Sequence, residues 1–104
     1  MDMHKDKAAN ARKHSDLSLA MAAQVRAEMG VARLTTRALA QKSGVPERTL
    51  ARLISGERTL DVAQLDGICR ALGVPMIDLF ARAEERLAAE RAAGAGGAAQ
   101  VAGE

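Results

Sequence analysis

Apolar residues recur at four-residue intervals from Leu17 through Met21 and Val25 to Met29. That is the period of one helix face, and it predicts a first helix over residues 16–29. Thr35 has the character of an N-cap, with Leu34 and Leu39 at the staple positions around it, so a second helix is expected at about 36–43. Gly44 should end that helix, because glycine accepts the left-handed backbone of a sharp turn. In the stretch GVPERTLARLISGERTL, residues 44–60, positions 47, 48, 51, 52 and 55 share one side of a third helix over 46–55. Leu50, Leu53 and Ile54 fall on the other, and Pro46 suits the first turn. Asp61 with Gln64 resembles a capping box, and Leu60 with Leu65 a second staple. They mark a fourth helix through about Leu72, with Val62, Leu65, Ile68, Cys69 and Leu72 as its apolar stripe. The tripeptide GVP returns at 73–75 as a shared turn solution, and a fifth helix should run from about Pro75 into ARAEERLAAERAA.

The two ends break the pattern. Residues 1–14 show no apolar periodicity and read as a flexible N-terminal arm. After Ala93, GAGGAAQVAGE has little to bury. The expected organisation is therefore an arm at 1–14, a domain at 15–80, a helical extension at 81–93 and a disordered tail at 94–104.

Composition sharpens the fold class. The 104 residues are 48% hydrophobic, yet there is no Trp, no Tyr and a single Phe80. A core of Leu, Val, Ile, Met and Ala favours packed helices over sheets, so the chain should be all-α. One cysteine, Cys69, excludes an internal disulfide framework and a zinc site built on cysteines. Its place on an apolar stripe marks it as core. His4 and His14 stand ten positions apart with no acids in helical register, so neither metal binding nor catalysis is expected. No phosphate loop, nucleophile motif or metal-ligand cluster occurs, which argues against an enzyme and against a cofactor. The first 14 residues lack the apolar stretch of a signal peptide, and no run approaches the roughly 20 apolar residues of a membrane span. A cytoplasmic location without membrane contact is expected.

The net charge of +2 says little, but its distribution is uneven. Residues 31–60 hold Arg33, Arg37, Lys42, Arg48, Arg52 and Arg58 against Glu47 and Glu57, a balance of +4. Residues 61–104 hold Arg70, Arg82, Arg86 and Arg91 against seven acids, a balance of −3. A local basic patch is the footprint of a phosphate-binding surface.

The segment LTTRALAQKSGVPERTLARLISGERTLDVAQLDGICRALGVPMIDLF, residues 34–80, resembles the helix-turn-helix domain of the Cro/C1 type, the XRE family. Ala40, Gly44, Leu50 and Leu53 stand where that motif places its helix-packing residues, and the similarity covers roughly residues 16–80. The resemblance implies a compact five-helix, lambda-repressor-like DNA-binding domain, with an extended C-terminal helix and flexible ends. It also implies that the third helix lies in a major groove of double-stranded DNA. By residue-by-residue similarity, Glu47, Arg48 and Arg52 stand where family members read bases, with Thr49 and Ser55 nearer the backbone. Arg offers a forked pair of donors to guanine, and Glu can accept from cytosine, so G·C pairs are expected in the half-site. An acid in a first helical turn is also favoured by the helix dipole alone, which leaves Glu47 two readings. Thr35 and Thr36 open the second helix, where free N–H groups and hydroxyls can bind phosphate, and Arg37, Ser55 and Arg58 flank the groove. Many relatives carry Gln where this chain has the shorter Thr36.

The function implied is a sequence-specific transcriptional regulator, a repressor of the phage immunity or lysogeny type. The alternative is an antitoxin whose tail captures a protein partner while the helix-turn-helix domain regulates its own operon, a role that the acidic balance after residue 60 would serve. Met76, Phe80, Ala83 and Leu87 recur at intervals of four, three and four along the fifth helix. They form a candidate homodimer seam, formed in solution or on DNA. The competing reading places Met76 and Phe80 in the core, with Ala83 and Leu87 on a fraying end.

Overall fold

A computed structural model describes residues 15–103, with side chains described through residue 94. Among the described residues the backbone forms five helices and no strand: α1 Asp16–Ala32, α2 Thr36–Ser43, α3 Glu47–Ile54, α4 Val62–Leu72 and α5 Met76–Gly103. The expected arm at 1–14 lies outside the described residues, as do the side chains of all but the first residue of the expected tail at 94–104.

Local chemistry sets most of the boundaries. Ser15 Oγ accepts the Ser18 N–H at 3.1 Å, and Thr35 Oγ1 accepts the Ala38 N–H at 3.0 Å, so each hydroxyl fills a donor that its helix leaves open. At α4 the capping box is complete: Asp61 Oδ1 accepts the Gln64 N–H at 2.7 Å, and Gln64 Oε1 accepts the Asp61 N–H at 3.1 Å. Gly44 ends α2 at φ 80° and Gly73 ends α4 at φ 74°. The repeated GVP plays the same part twice with different hydrogen bonds: the Gly44 N–H meets the Ala40 carbonyl at 3.0 Å, whereas the Gly73 and Val74 N–H groups meet the Arg70 and Cys69 carbonyls at 3.2 and 3.1 Å. In each copy the glycine turns the chain, the valine packs inward and the proline leads the next helix. Pro46 stands one position earlier than expected, as the N-cap of α3 and outside the helix.

Each helix contributes to one core. Val25 from α1, Leu39 from α2, Leu50 and Leu53 from α3, Ile68 from α4, and Leu79 and Ala83 from α5 are wholly buried within it. Val45, expected only as part of a turn, is buried there too. α1 packs chiefly against α5, and α2 against α4. The second contact depends on Gly67, where a Cβ would stand 2.8 Å from the Ser43 carbonyl oxygen. Two apolar expectations change. Val62 is 74% exposed, because it begins α4 at the edge of the stripe, where nothing covers it. On α5 the inward residue is Leu79, while Phe80 is 39% exposed.

Candidate nucleic-acid interface

α3 presents the two faces its sequence implies. Leu50 and Leu53 are buried, Ile54 is half-buried, and Glu47, Arg48, Arg52 and Ser55 are exposed on the opposite side. Three features fix this short helix. Leu50 and Leu53 anchor it in the core. The turn around Gly44 is braced by Ser43 Oγ, which accepts the Val45 N–H at 3.2 Å. At its far end Arg26, from the middle of α1, donates Nη1–H to the Ile54 carbonyl, a cation on the negative end of the helix dipole. Nothing in the sequence singles out Arg26, because a separation of 28 in the chain from Ile54 conceals the contact.

The N-terminus of α3 has no side-chain cap. The Glu47, Arg48 and Thr49 N–H groups, which have no intrahelical acceptors in a first turn, therefore have no side-chain cap acceptor either. Glu47 and Arg37 line one cleft between α2 and α3, together with Gln41, so candidates from both helices share one surface. Thr35 uses its oxygen as the α2 cap and keeps its hydroxyl hydrogen available, while Thr36 and Thr49 are half-buried. Ser55 is differently engaged. Its hydroxyl donates to the Arg52 carbonyl at 3.1 Å and accepts the Glu57 N–H at 3.4 Å, closing the loop after α3. Its hydrogen is therefore spent inside the fold rather than free for a phosphate.

The cations divide into two groups. Arg37, Lys42, Arg48 and Arg58 are exposed, with no side-chain hydrogen bond or ion pair among the described residues, and Arg52 has only a 3.9 Å contact with Glu57. Outside this segment, every described arginine is held. Arg26 meets Ile54, Arg70 pairs with Asp66 at 3.2 Å and Arg82 with Glu28 at 2.7 Å. Arg86 donates to Gln24 Oε1 at 3.2 Å, and Arg91 stands 3.5 Å from Asp16. Burial pushes the Glu28 carboxyl up, but the hydrogen bonds from Arg82 and Gln24, together with the Arg82 charge, outweigh it and hold the group below its ordinary range. The Arg82 guanidinium is raised in turn, first by its hydrogen bond to Glu28. Burial, then Asp66 and Glu28, push the Cys69 thiol up, which keeps it protonated and unreactive.

The candidate seam on α5 does not stay together. Ala83 is wholly buried inside its own chain, which removes it from any contact between copies. Met76 and Leu87 are half-buried against the same core, and Phe80 lines a separate cleft with Leu17, Leu60 and Leu65.

A buried helix-packing face, a glycine turn and an exposed helix with free arginines make a helix-turn-helix surface, and residues 24–85 match the Cro/C1-type HTH DNA-binding domain. The chain belongs to that family. Its members are DNA-binding domains, not enzymes. The match starts eight residues later and ends five residues beyond the 16–80 span of the sequence resemblance. The fold is also similar to the crystal structure of ClgR, the clp gene regulator of Corynebacterium glutamicum. The TM-score is 0.71 and the identity 28%, over 82% of this chain and 88% of that one. No curated protein matches significantly. No helix among the described residues is long and apolar enough to cross a membrane.

Proposed function

We propose that this Cro/C1-type protein is a transcriptional regulator, a repressor that blocks a promoter by laying α3 in the major groove of its operator. The observation that carries the proposal is the row of arginines and the glutamate on the exposed face of α3, beside cations without internal partners. Arg48 and Arg52 are assigned to guanine edges and Glu47 to a cytosine amino group. Arg37 and Arg58, with Thr35, Thr36 and Thr49, are assigned to the phosphates. The similarity to ClgR, itself described as a gene regulator, supports the same reading. Two copies pair on adjacent half-sites through the part of α5 that remains exposed, Phe80 and the outer side of Leu87, since one short helix reads few base pairs.

Selection of bound fragments from the source genome tests this reading. It predicts recovery of a G·C-containing, two-fold symmetric site that overlaps a promoter. Fragments without any shared sequence would contradict it. Measurement of molar mass with and without that site, in the full chain and in Phe80→Glu, tests the pairing.

A further inference from the structure

Of the four described residues with a left-handed backbone, three are glycines: Gly44, Gly56 and Gly73. The fourth is Arg33, at φ 56° and ψ 44°. Arg33 ends α1, where its N–H meets the Gly30 carbonyl at 3.2 Å and the next N–H, of Leu34, meets the Met29 carbonyl at 3.0 Å. This is the helix-ending geometry in which glycine is favoured, because a Cβ crowds the neighbouring carbonyl. α2 and α4 end on glycine in the same backbone region. A cation at the end of α1 gains something from the helix dipole, but the guanidinium is exposed and has no hydrogen bond or ion pair among the described residues. An arginine is thus kept where the backbone favours glycine, without a side-chain contact in the fold to explain it.

Its position supplies an explanation. Arg33 lies two residues before Thr35, the cap of α2, and four before Arg37, whose guanidinium is equally free. The two hydrogen bonds at the helix end fix the backbone from which its side chain leaves. We propose that Arg33 is a further DNA-backbone contact, a phosphate-binding residue at the α1–α2 corner kept at a cost in stability. The inference rests on the DNA-binding reading above and extends its interface by one turn beyond α2.

The substitution Arg33→Gly separates binding from folding, because the two should move in opposite directions. The full-length variant is expected to melt a few degrees higher than the wild type, as the left-handed position is relieved. It should also bind a short random-sequence duplex more weakly, with a slope of log K against log salt shallower by about 0.9. Arg33→Lys, which keeps the charge, should keep most of the wild-type slope. A variant Arg33→Gly with unchanged slope and affinity would overturn the proposal. So would a lower melting temperature, which would place Arg33 in the service of the fold. If the wild type bound no duplex in a salt-dependent way, the DNA-binding reading itself would fail and this contact with it. Salt-dependent wild-type binding with an unaltered Arg33→Gly slope would count against this contact alone.

Discussion

On the α1–α5 side of the molecule, Arg82, Arg86 and Arg91 reach across to Glu28, Gln24 and Asp16, and Arg70 pairs with Asp66 within α4. On the α2–α3 side, Arg37, Lys42, Arg48 and Arg58 point at solvent with no partner of their own among the described residues. Cationic side chains are used in two ways. The held arginines tie helices together, and their charge is answered inside the fold. The free ones leave a segment with a balance of +4 unanswered inside the fold, which suits a surface whose counter-charge comes from outside. The comparison therefore predicts a clean split, in which changes on the first side act on stability and changes on the second act on binding.

The largest effect on the held side should come from Glu28, which is nearly buried and accepts from both Arg82 and Gln24 through one oxygen. Glu28→Ala is expected to cost about 2 kcal/mol of folding stability, measured by urea unfolding, since it leaves the buried Gln24 Nε2 without its acceptor while Gln24 Oε1 keeps only Arg86. Binding to DNA per folded molecule should not change. The same contact carries a pH signature. Because the folded carboxyl titrates below its ordinary value of 4.5, its contribution is fully present above that pH and is lost as pH falls through the lower folded value. Wild-type stability should therefore drop more steeply than that of Glu28→Ala as the pH falls below the ordinary carboxylate range, and parallel curves would show that Glu28 contributes no such linkage.

Arg26 lies between the two classes, since it is a held arginine whose partner is the end of α3. Arg26→Ala should lower stability by about 1 kcal/mol and also weaken specific binding, because α3 loses its far anchor. An effect on stability alone would mean that Leu50 and Leu53 suffice to aim the helix. The smallest effects are expected at Arg37 and Arg58. Each change to Ala should leave the melting temperature within error and make the salt slope about 0.9 shallower on any sequence. A loss confined to the selected operator would move either residue from the phosphates to the bases.

Features that depend on near neighbours in the chain are legible in the sequence itself. Thr35, Asp61 with Gln64, and Gly44 act within three or four residues, and their caps and turns lie where the sequence places them. The amphipathic split of α3 is equally plain, because Leu50 and Leu53 follow helical spacing. Rotation about a helix axis is not legible in the same way. Leu79 and Phe80 differ by one residue, about 100° of turn, and either fits a stripe that includes Met76 and Ala83. The packing of α5 against α1 and α4, absent from the local pattern, decides that Leu79 points inward. Contacts across long separations, such as Arg82 with Glu28 and Arg26 with Ile54, leave no periodicity to detect. Gly67 does leave a signal. A glycine inside a helix costs about 1 kcal/mol against alanine, and here it permits the close approach of α4 to Ser43. Of the interface, the sequence identifies the exposed residues, but it carries no indication that the Ser55 hydroxyl closes its own loop.

The most direct test of base reading by α3 is the ratio of affinities for the selected operator and for random duplex, measured at one salt concentration for the wild type, Arg48→Ala and Arg52→Ala. Each arginine that grips a guanine should contribute about 1–3 kcal/mol of discrimination. The ratio should then fall by roughly 5- to 150-fold per substitution, with affinity for random DNA and melting temperature nearly unchanged. An unchanged ratio, with losses shared equally by both duplexes, would make these arginines phosphate contacts and contradict the claim that α3 reads sequence.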